Sequence, residues 1–328
     1  MARDDRSRLE DRVRGCLGLA ALGDAAGEPV EERTRAELVG YGDPLERLRS
    51  RRGGVAVTDD TGQLEALARA LVASGGELTE EAWHAALLEW YRSSPTAARA
   101  GPTTRAMLEG GAPPDDGRVG VTNGSAMRAA PCGLVHPGDP EAAVRLAWLT
   151  SRPTHDTQVA AAAAGAIAAG VAAALRPGCG VEEVTEACVL GAALGAREGR
   201  GLALPRVQGR IELALDAARA AHDLDDALER IEAAVGTSLL AVESVPAAVG
   251  VLAAAGGDPA EAVSAGVRIG GDTDTIAAMA GALAGALHGH AALGPGDRAL
   301  VEAVMPAALA EQVPGLAAIA ARRARPSG

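Results

Sequence analysis

Runs of alanine and glycine constrain the fold of this chain more than any other feature of its sequence. The longest run follows Gln158 and extends to Leu175, adding only Val, Ile and Leu to Ala and Gly. Alanine has the highest intrinsic helix propensity and is depleted in strands, so these runs favour helices. The chain contains no Phe, 3 Trp and 2 Tyr. We therefore expect a core of Ala, Leu and Val in which helices approach closely over small side chains.

Helical periodicity recurs along the chain, whereas alternating strand patterns are almost absent. Apolar positions spaced three and four residues apart indicate helices at 9–23, 182–196, 210–221, 224–235 and 239–254. No internal repeat or linker interrupts them. We predict an all-α fold, a single compact multi-helix domain spanning residues 1–328 with a core at about 9–312. The C-terminal tail with Arg322, Arg323 and Arg325 is expected to be frayed.

Charge and cysteine usage exclude several classes of protein. The formal net charge is −12 and Lys and Arg form no dominant block, so specific nucleic-acid binding is not expected. The four cysteines lack a C-x-x-C spacing and we expect no signal peptide, which favours reduced thiols in the cytoplasm. The run after Gln158 is long enough to suggest a membrane span, but it lacks an aromatic belt and a second span. We expect a buried helix, no membrane and a monomer.

Two clusters of Asp and Thr, each at a predicted helix start, indicate a metal site. The quartet at 272–275 reads Asp-Thr-Asp-Thr after two glycines, and the quartet at 58–61 reads Thr-Asp-Asp-Thr. Helix capping would explain one such residue in each, but not four in succession. Such oxygen ligands suit Mg²⁺, Mn²⁺ or Ca²⁺ better than zinc. We interpret the quartets as two halves of one site for two divalent cations. The predicted ligands are Thr58, Asp59, Asp60, Asp272, Asp274 and Thr275.

A turn of small polar residues at 120–125 is a second candidate site. Its members are Gly120, Asn123, Gly124 and Ser125. The free N–H groups of such a turn at a helix start attract a diphosphate, although small polar turns are also common as plain loops. Arg128 fits either a phosphate contact or an internal salt bridge. The preceding residues 112–117 predict a turn-rich loop.

Four motifs occur together in one order along the chain. They are Gly-Asp-Ala-Ala-Gly-Glu-Pro-Val-Glu at 23–31, Thr-Asp-Asp-Thr at 58–61, Asn-Gly-Ser-Ala-Met-Arg-Ala-Ala-Pro at 123–131 and Gly-Gly-Asp-Thr-Asp-Thr at 270–275. Together they resemble the ADP-ribosylglycohydrolase family, the relatives of dinitrogenase reductase-activating glycohydrolase. The resemblance spans residues 15–289. It implies hydrolysis of the N- or O-glycosidic bond of an ADP-ribosyl group, with arginine on a protein as the expected acceptor and ADP-ribose as the product.

The resemblance also implies roles for individual residues. Glu31 is the implied acid or base beside the distal ribose, and a solvated surface carboxylate is the alternative. Asp59 and Asp274 are implied in catalysis through two Mg²⁺ or Mn²⁺ ions that hold the ribose hydroxyls. The implied substrate-binding residues are Asn123, Gly124, Ser125, Met127, His155 and Gly271. Without the resemblance, a single His at a helix start is more often a cap, and Asp24 reads as a loop carboxylate.

Two departures from the family pattern keep other functions open. Gln63 stands where relatives carry an apolar residue, and no aromatic residue follows Trp148, whereas relatives have one that can stack on adenine. The candidates for stacking are Tyr41, Trp83, Trp90, Tyr91 and Trp148. The alternatives are a hydrolase of another ribosylated small molecule or of a phosphate ester, and a non-catalytic ADP-ribose-binding protein.

Overall fold

The computed structural model describes residues 3–51, 56–110 and 120–324, and every regular element in it is helical. The α-helices are α1 Arg3–Gly27, α2 Arg35–Leu38, α3 Pro44–Ser50, α4 Asp59–Ala73, α5 Glu80–Ser93, α6 Pro102–Leu108, α7 Ala130–Leu134, α8 Pro140–Ser151, α9 Gln158–Ala174, α10 Val181–Gly195, α11 Val207–Arg219, α12 Leu224–Val235, α13 Ala241–Ala254, α14 Pro259–Arg268, α15 Thr273–His288, α16 Pro295–Val304, α17 Ala307–Ala310 and α18 Val313–Arg323. Short 3₁₀ turns occupy Glu28–Val30, Pro95–Arg99, Asn123–Ser125 and His290–Ala292. Isolated bridges pair Thr122 with Leu240 and Thr157 with Arg200, and no strand forms within the described ranges. The predicted all-α fold is confirmed, while the predicted loop at 112–117 lies outside the described residues.

Two antiparallel helices, α1 and α15, lie almost in backbone contact. A Cβ atom on Gly285 would be 2.2 Å from the carbonyl oxygen of Gly15. At the other end of the pair, a Cβ on Gly27 would be 2.4 Å from the amide nitrogen of Asp274. Only glycine fits at such distances, since any side chain would collide with the facing backbone. This packing brings the first turn of α15 against the last turn of α1.

A second close interface joins α9 to α10. A Cβ on Gly191 would be 2.3 Å from the Gly165 carbonyl oxygen, and one on Gly195 would be 2.2 Å from the Ala161 carbonyl oxygen. All residues of α9 after Gln158 are buried, as expected for a core helix. Among the described helices, none alone is long and apolar enough to cross a membrane, and the bent pair of α16 with 307–323 meets that test by length and composition only.

The first helix continues past the point where the sequence predicted its end. Gly23 does not terminate α1, because the glycine there serves close packing: a Cβ would be 2.4 Å from the carbonyl of Ala277 in α15. The helix continues to Gly27. Asp24 is therefore a fully buried helical residue, and the prediction of a loop carboxylate was wrong.

The C-terminal segment is ordered helix where the sequence predicted a frayed tail after residue 312. Val313, Leu316 and Ile319 of α18 are buried in the main core. The Arg323 guanidinium donates to the carbonyl oxygens of Gly76 at 2.9 Å and Val135 at 3.2 Å. Those contacts tie the basic residues to the domain, so the predicted fraying was wrong up to residue 324. The remaining Arg of that tail, at 325, lies outside the described residues.

Candidate active site

The start of α15 is held by two glycines in the left-handed region. Gly270 has φ +84° and Gly271 has φ +77°, which strongly favours glycine. The Gly271 N–H donates to the Arg33 carbonyl at 2.7 Å, and the Gly271 carbonyl accepts from the Glu32 N–H at 2.9 Å. A Cβ on Gly271 would be 2.2 Å from the carbonyl oxygen of Thr237. The turn is therefore fixed between two loops, and one of them carries Glu31.

That arrangement brings three carboxylates together. Glu31, Asp272 and Asp274 each offer an oxygen, and these oxygens lie within 4.8 Å of one another. Burial raises the pKa of Asp274 well above its usual range, and the Asp272 charge raises it further. Burial also raises the pKa of Asp272, while the hydrogen bond that the Asn123 amide donates to it acts in the opposite direction. Such mutual repulsion is relieved when a cation binds, so the group can hold a divalent metal ion.

The start of α4 is organised by the buried carboxylate of Asp24. It accepts from the Thr58 N–H at 3.0 Å, from the Thr61 N–H at 3.1 Å and from the Thr61 hydroxyl at 2.5 Å. The Thr58 hydroxyl in turn caps the helix by accepting from the Asp60 N–H at 3.2 Å. The Thr58 hydroxyl thus caps the helix and the Thr61 hydroxyl binds Asp24, which leaves Asp59 and Asp60 to present carboxylates.

The Asp60 carboxylate lies in the electrostatic field of the quartet at 272–275, and Asp59 lies in that of Asp24. Burial raises the pKa of Asp60 well above its usual range. The charges of Asp274, Asp24, Asp59 and Asp272 raise it further. Burial and the Asp24 charge raise the pKa of Asp59 to about 7. Helices α4 and α15 are in contact, and the charges at the start of α15 act on Asp60, although the role of both quartets as metal ligands stays a prediction.

The donor set fits a hard divalent cation. The Oδ2 atom of Asp60 is buried and has no hydrogen-bond partner within the described part of the chain. An unpartnered buried carboxylate oxygen is strongly unfavourable, and a cation is the partner that its surroundings of further carboxylates would favour. Oxygen donors of this kind match the preference of Mg²⁺ and Mn²⁺.

The turn at Asn123–Ser125 supports the α15 quartet more than it faces outward. The Asn123 side-chain amide donates to Asp272 Oδ2 and to the Ser244 hydroxyl, the latter at 2.9 Å. The Ser125 hydroxyl donates to the Ala160 carbonyl at 3.3 Å, and the Met127 side chain is 8% exposed. Asn123 therefore orients Asp272 directly, while the Ser125 hydroxyl is turned inward to α9 and Met127 is nearly buried.

His155 lies fully buried beside the same turn. Its Nε2 atom is 2.9 Å from the Thr122 hydroxyl and its Nδ1 atom is 2.8 Å from the Thr154 hydroxyl. Burial lowers the pKa of His155 to about 3, so the ring is neutral at physiological pH. A Cβ on Gly124 would be 2.9 Å from His155 Cε1. The ring thus forms a wall against which the glycine turn packs.

Arg128 takes neither of the two roles that the sequence left open. The side chain is fully buried, so it is closed to a phosphate, and no carboxylate pairs with it in the described ranges. Its guanidinium donates to Gln63 Oε1 at 2.6 Å and to the Thr150 carbonyl at 3.0 Å, and it lies 5.4 Å from the centre of the Trp83 ring. Both predicted roles are therefore wrong.

Sequence reasoning missed Asp24, Arg99 and Glu32. Asp24 lies inside the motif at 23–31, which was the available signal, but its partners are in another helix. The Arg99 guanidinium lies 3.1 Å from Glu31 Oε2 and 3.5 Å from Glu28 Oε1. Glu32 has φ +67°, the one positive φ among the described residues other than glycine. Backbone strain of this kind concentrates at functional sites, and here it adjoins Glu31.

Comparison with known proteins gives the family. The family model of ADP-ribosylglycohydrolase matches residues 5–326. YegU, an uncharacterized protein of Escherichia coli, is 31% identical over 314 residues, covering 90% of this chain and 92% of that protein. ADP-ribosylhydrolase ARH3 of Homo sapiens is 26% identical over 328 residues, covering 86% of this chain and 87% of ARH3. A solved structure described as an ADP-ribosylglycohydrolase-related protein complex superposes with a TM-score of 0.63 at 26% identity, covering 97% of this chain and 100% of that one.

The chain belongs to the ADP-ribosylglycohydrolase family, which consists of glycosidic-bond hydrolases that act on ADP-ribosylated substrates. The resemblance carried by the four sequence motifs is thereby confirmed.

Proposed function

We propose that this protein hydrolyses the glycosidic bond between ADP-ribose and an arginine side chain of a modified protein, releasing ADP-ribose. The observation that carries the proposal is the meeting of Glu31, Asp272 and Asp274 oxygens within 4.8 Å, with Asp60 in the same electrostatic field. Vicinal ribose hydroxyls bind well to divalent cations held by such oxygens. The expected cofactors are two Mg²⁺ or Mn²⁺ ions.

The proposed ligands come from both quartets. Thr58, Asp59 and Asp60 would hold the cations from α4, and Asp272, Asp274 and Thr275 from α15. Bound there, the ions supply Lewis-acid charge that polarises oxygens of the ribose and of water. Asp24 and Asn123 keep the ligands in place by the hydrogen bonds described above. Such supporting partners commonly change metal affinity 10- to 100-fold.

Glu31 is the proposed acid or base. Its side chain is 37% exposed, so it can meet a substrate, and it adjoins Asp272 and Asp274. Burial and the Asp272 charge raise its pKa, while Arg99 lowers it. A carboxylate in that position can orient or deprotonate the attacking water, or pass a proton to the leaving group. Negative charge beside the ribose also stabilises the oxocarbenium-like transition state.

The remaining implied residues frame the substrate. Asn123 and Gly271 adjoin Asp272, and Gly124 follows Asn123 with His155 as a neutral wall behind it. The Ser125 hydroxyl anchors this turn to the Ala160 carbonyl, and Met127 is nearly buried beside it in sequence. An ADP-ribosyl group would lie along the glycine turns with its distal ribose over the carboxylates.

We further propose action in the cytoplasm as a monomer, with no nucleic-acid or membrane partner. Its four cysteines are free thiols, and Cys16, Cys132 and Cys188 are buried. Buried unpaired thiols are typical of reducing compartments. The acidic net charge of −12 is unfavourable for a phosphate backbone.

A second candidate is hydrolysis of a different riboside, because the aromatic residues offer little to an adenine. Trp83 and Trp90 are buried, with 0% and 3% exposure. Arginine guanidinium groups lie near the rings of Tyr41 at 4.2 Å and Trp148 at 5.8 Å from the ring centres. Tyr91 donates its hydroxyl to Glu109. A substrate without adenine would need none of these rings.

The test is chromatographic detection of ADP-ribose released from an ADP-ribosyl-arginine peptide, with Mg²⁺, Mn²⁺ or chelator. We expect release that requires metal and that falls about 10³-fold or more in Asp274→Asn, which removes a charge at the centre of the site. Asp216→Asn, on an exposed carboxylate paired with Arg219, is the matched control and should keep full activity.

The outcomes separate the candidates. Release of ribose products from non-adenine ribosides, with none from the ADP-ribosyl peptide, would favour the second candidate. Tight ADP-ribose binding without any turnover would favour the non-catalytic alternative. Release that continues in chelator would contradict the metal dependence.

A further inference from the structure

A buried hydrogen-bonded chain links Arg128 to a carboxylate of the candidate metal site. The Arg128 Nη1 group donates to Gln63 Oε1 at 2.6 Å, and Gln63 Nε2 donates to Asp59 Oδ2 at 2.9 Å. Arg128 and Gln63 are both 0% exposed. Asp59 and Gln63 are four residues apart on α4, so their side chains lie on one face of the helix.

The orientation of the Gln63 amide is dictated by its partner. A guanidinium has only N–H donors, so the group facing it must be the amide oxygen. Flipping the amide would set NH₂ against the guanidinium and carbonyl oxygen against the Asp59 carboxylate, and both contacts would repel. The Gln63 NH₂ group is therefore directed at Asp59 Oδ2, whatever occupies the site.

Arg128 is itself immobilised in the core. Its Nη2 group donates to the Thr150 carbonyl at 3.0 Å and to the Thr154 hydroxyl at 2.7 Å. The Trp83 ring lies beside it at 5.4 Å, and the Trp83 indole N–H donates to the same Thr150 carbonyl at 2.7 Å. Arg128, the inner end of this hydrogen-bonded chain, is thus held by Thr150, Thr154 and Trp83. Gln63 connects this fixed guanidinium to Asp59.

We propose that Gln63 is a positioning residue that fixes the rotation of the Asp59 carboxylate and so sets the direction in which its free lone pairs meet a divalent cation. The inference rests on the metal site of the proposed function. Gln63 thereby couples a buried guanidinium to the α4 half of the site.

The main test is calorimetric titration of Mn²⁺ into the metal-free full-length protein. Gln63→Met keeps the side-chain length and removes both hydrogen bonds, so Mn²⁺ affinity should fall about 10- to 100-fold, as for other residues that orient metal ligands. Thr154→Val is the matched control, because it also deprives Arg128 of a partner but leaves the Gln63 bond to Asp59. It should lower thermal stability while Mn²⁺ affinity stays within twofold of wild type.

A spectroscopic measurement covers the case in which Gln63→Met does not fold. Gln63→Glu keeps an acceptor for Arg128, but it offers Asp59 no amide donor and sets an oxygen against the Asp59 carboxylate, so this carboxylate should turn away. The electron paramagnetic resonance spectrum of bound Mn²⁺ should therefore differ from that of wild type. A superimposable spectrum would overturn the proposal.

Two other results would overturn it as well. One is unchanged Mn²⁺ affinity in folded Gln63→Met, and the other is a loss in Thr154→Val as large as in Gln63→Met, since both indicate a purely structural role. Failure of wild type to bind Mn²⁺ would overturn both this inference and the metal dependence of the proposed function. Mn²⁺ binding without release of ADP-ribose would overturn the proposed activity alone, since the effect of Gln63 is measured on binding.

Discussion

The two helix starts that carry the quartets are built in different ways. At α15 the backbone does the positioning: Gly270 and Gly271 take positive φ, and Gly27 of α1 lies against the Asp274 amide. At α4 a single side chain positions the helix start, because the Asp24 carboxylate accepts three hydrogen bonds from Thr58 and Thr61. The α15 start is fixed mainly by the fit of main chain to main chain, with the Asn123 amide orienting Asp272, whereas the α4 start is fixed by polar side chains.

This difference separates two kinds of vulnerability. A side chain added at the α15 turn collides with backbone, which cannot move without moving whole helices. A side chain changed near α4 alters hydrogen bonds and charge while the helices remain packed. We therefore expect changes at α15 glycines to affect folding, and changes around α4 to affect the site in a folded protein.

The largest effect is expected for Gly271→Ala. The added Cβ would be 2.2 Å from the Thr237 carbonyl oxygen, at a residue with φ +77°. We expect a loss of about 3 kcal/mol or more in the free energy of unfolding, from the collision and the backbone strain together. Urea denaturation followed by circular dichroism measures it.

The control for that prediction is Gly209→Ala. This glycine lies inside α11, and a Cβ there meets nothing within 4 Å. The free energy of unfolding of Gly209→Ala should rise by about 0.5–1 kcal/mol, because alanine has the higher helix propensity. Equal effects at the two positions would break the distinction between them.

Asp24→Asn should give the next largest effect, now on the site and not on the fold. An amide has one acceptor oxygen and an NH₂ group, so it repels one of the N–H donors at the start of α4. Mn²⁺ affinity should fall about 10- to 100-fold, measured by calorimetry, with the far-ultraviolet circular dichroism unchanged.

Asp43→Asn provides the comparison, because Asp43 caps α3 by accepting from the Leu45 N–H and Asn is an equally good cap. Its Mn²⁺ affinity should remain that of wild type. Loss of folding in Asp24→Asn would show that the α4 start is as structural as the α15 start.

A smaller effect concerns pH. Burial and the Asp24 charge raise the pKa of Asp59 to about 7, above the usual value of roughly 3.9 in an unfolded chain. Folded metal-free protein therefore retains a proton that the unfolded chain releases, so this contribution to stability is full below about pH 4 and is lost as pH rises to about 7. In chelator, Asp59→Asn should lose less thermal stability than wild type between pH 5 and pH 8. Calorimetric thermal midpoints that fall by the same amount with pH in the two proteins would contradict this prediction.

The smallest effect is expected for Arg99→Gln. Its pair with Glu31 is 46% and 37% exposed, so removing it should change the free energy of unfolding by less than about 1 kcal/mol. Arg99 lowers the pKa of Glu31, so its loss should move the acid limb of the kcat/KM profile to higher pH if ionised Glu31 is the base.

Arg69→Gln removes a comparably exposed pair with Glu89 at 3.6 Å and is the control for charge alone. Its pH profile should overlay that of wild type. An acid limb that shifts equally in Arg99→Gln and Arg69→Gln would show that overall charge causes the shift. It would contradict the role of Glu31 as the base.

Most of the fold could be predicted from the sequence because it depends on local signals. The helix predicted at 224–235 has those bounds in the structure, since Asp223 caps its start and Gly236, with φ +68°, ends it. The two quartets were recognised because four oxygen donors in succession exceed what capping requires. Their meeting was inferred from chemical complementarity together with the resemblance, since no local pattern states which helix starts face each other.

What could not be predicted depends on contacts between distant segments. Asp24 is the clearest case, because its hydrogen bonds reach residues 34 and 37 positions away in the chain. Gly23 suggested a helix end, since sequence alone cannot distinguish a glycine that ends a helix from one that admits a neighbouring helix. Arg128 was assigned an outward or ionic role because buried arginines without a carboxylate are rare.

The close packing of α1 on α15 has a consequence for the order in which the protein is made. Within that packing, the Thr273 hydroxyl donates to the Gly27 carbonyl across 246 positions of the chain. A ribosome adding roughly 5–20 residues per second leaves α1 without its partner for roughly 12–50 s. Asp24 and Glu31 emerge early, and Asp272 and Asp274 emerge only when synthesis is nearly finished. The carboxylates therefore gather late, and an incompletely translated chain that lacks α15 has no site.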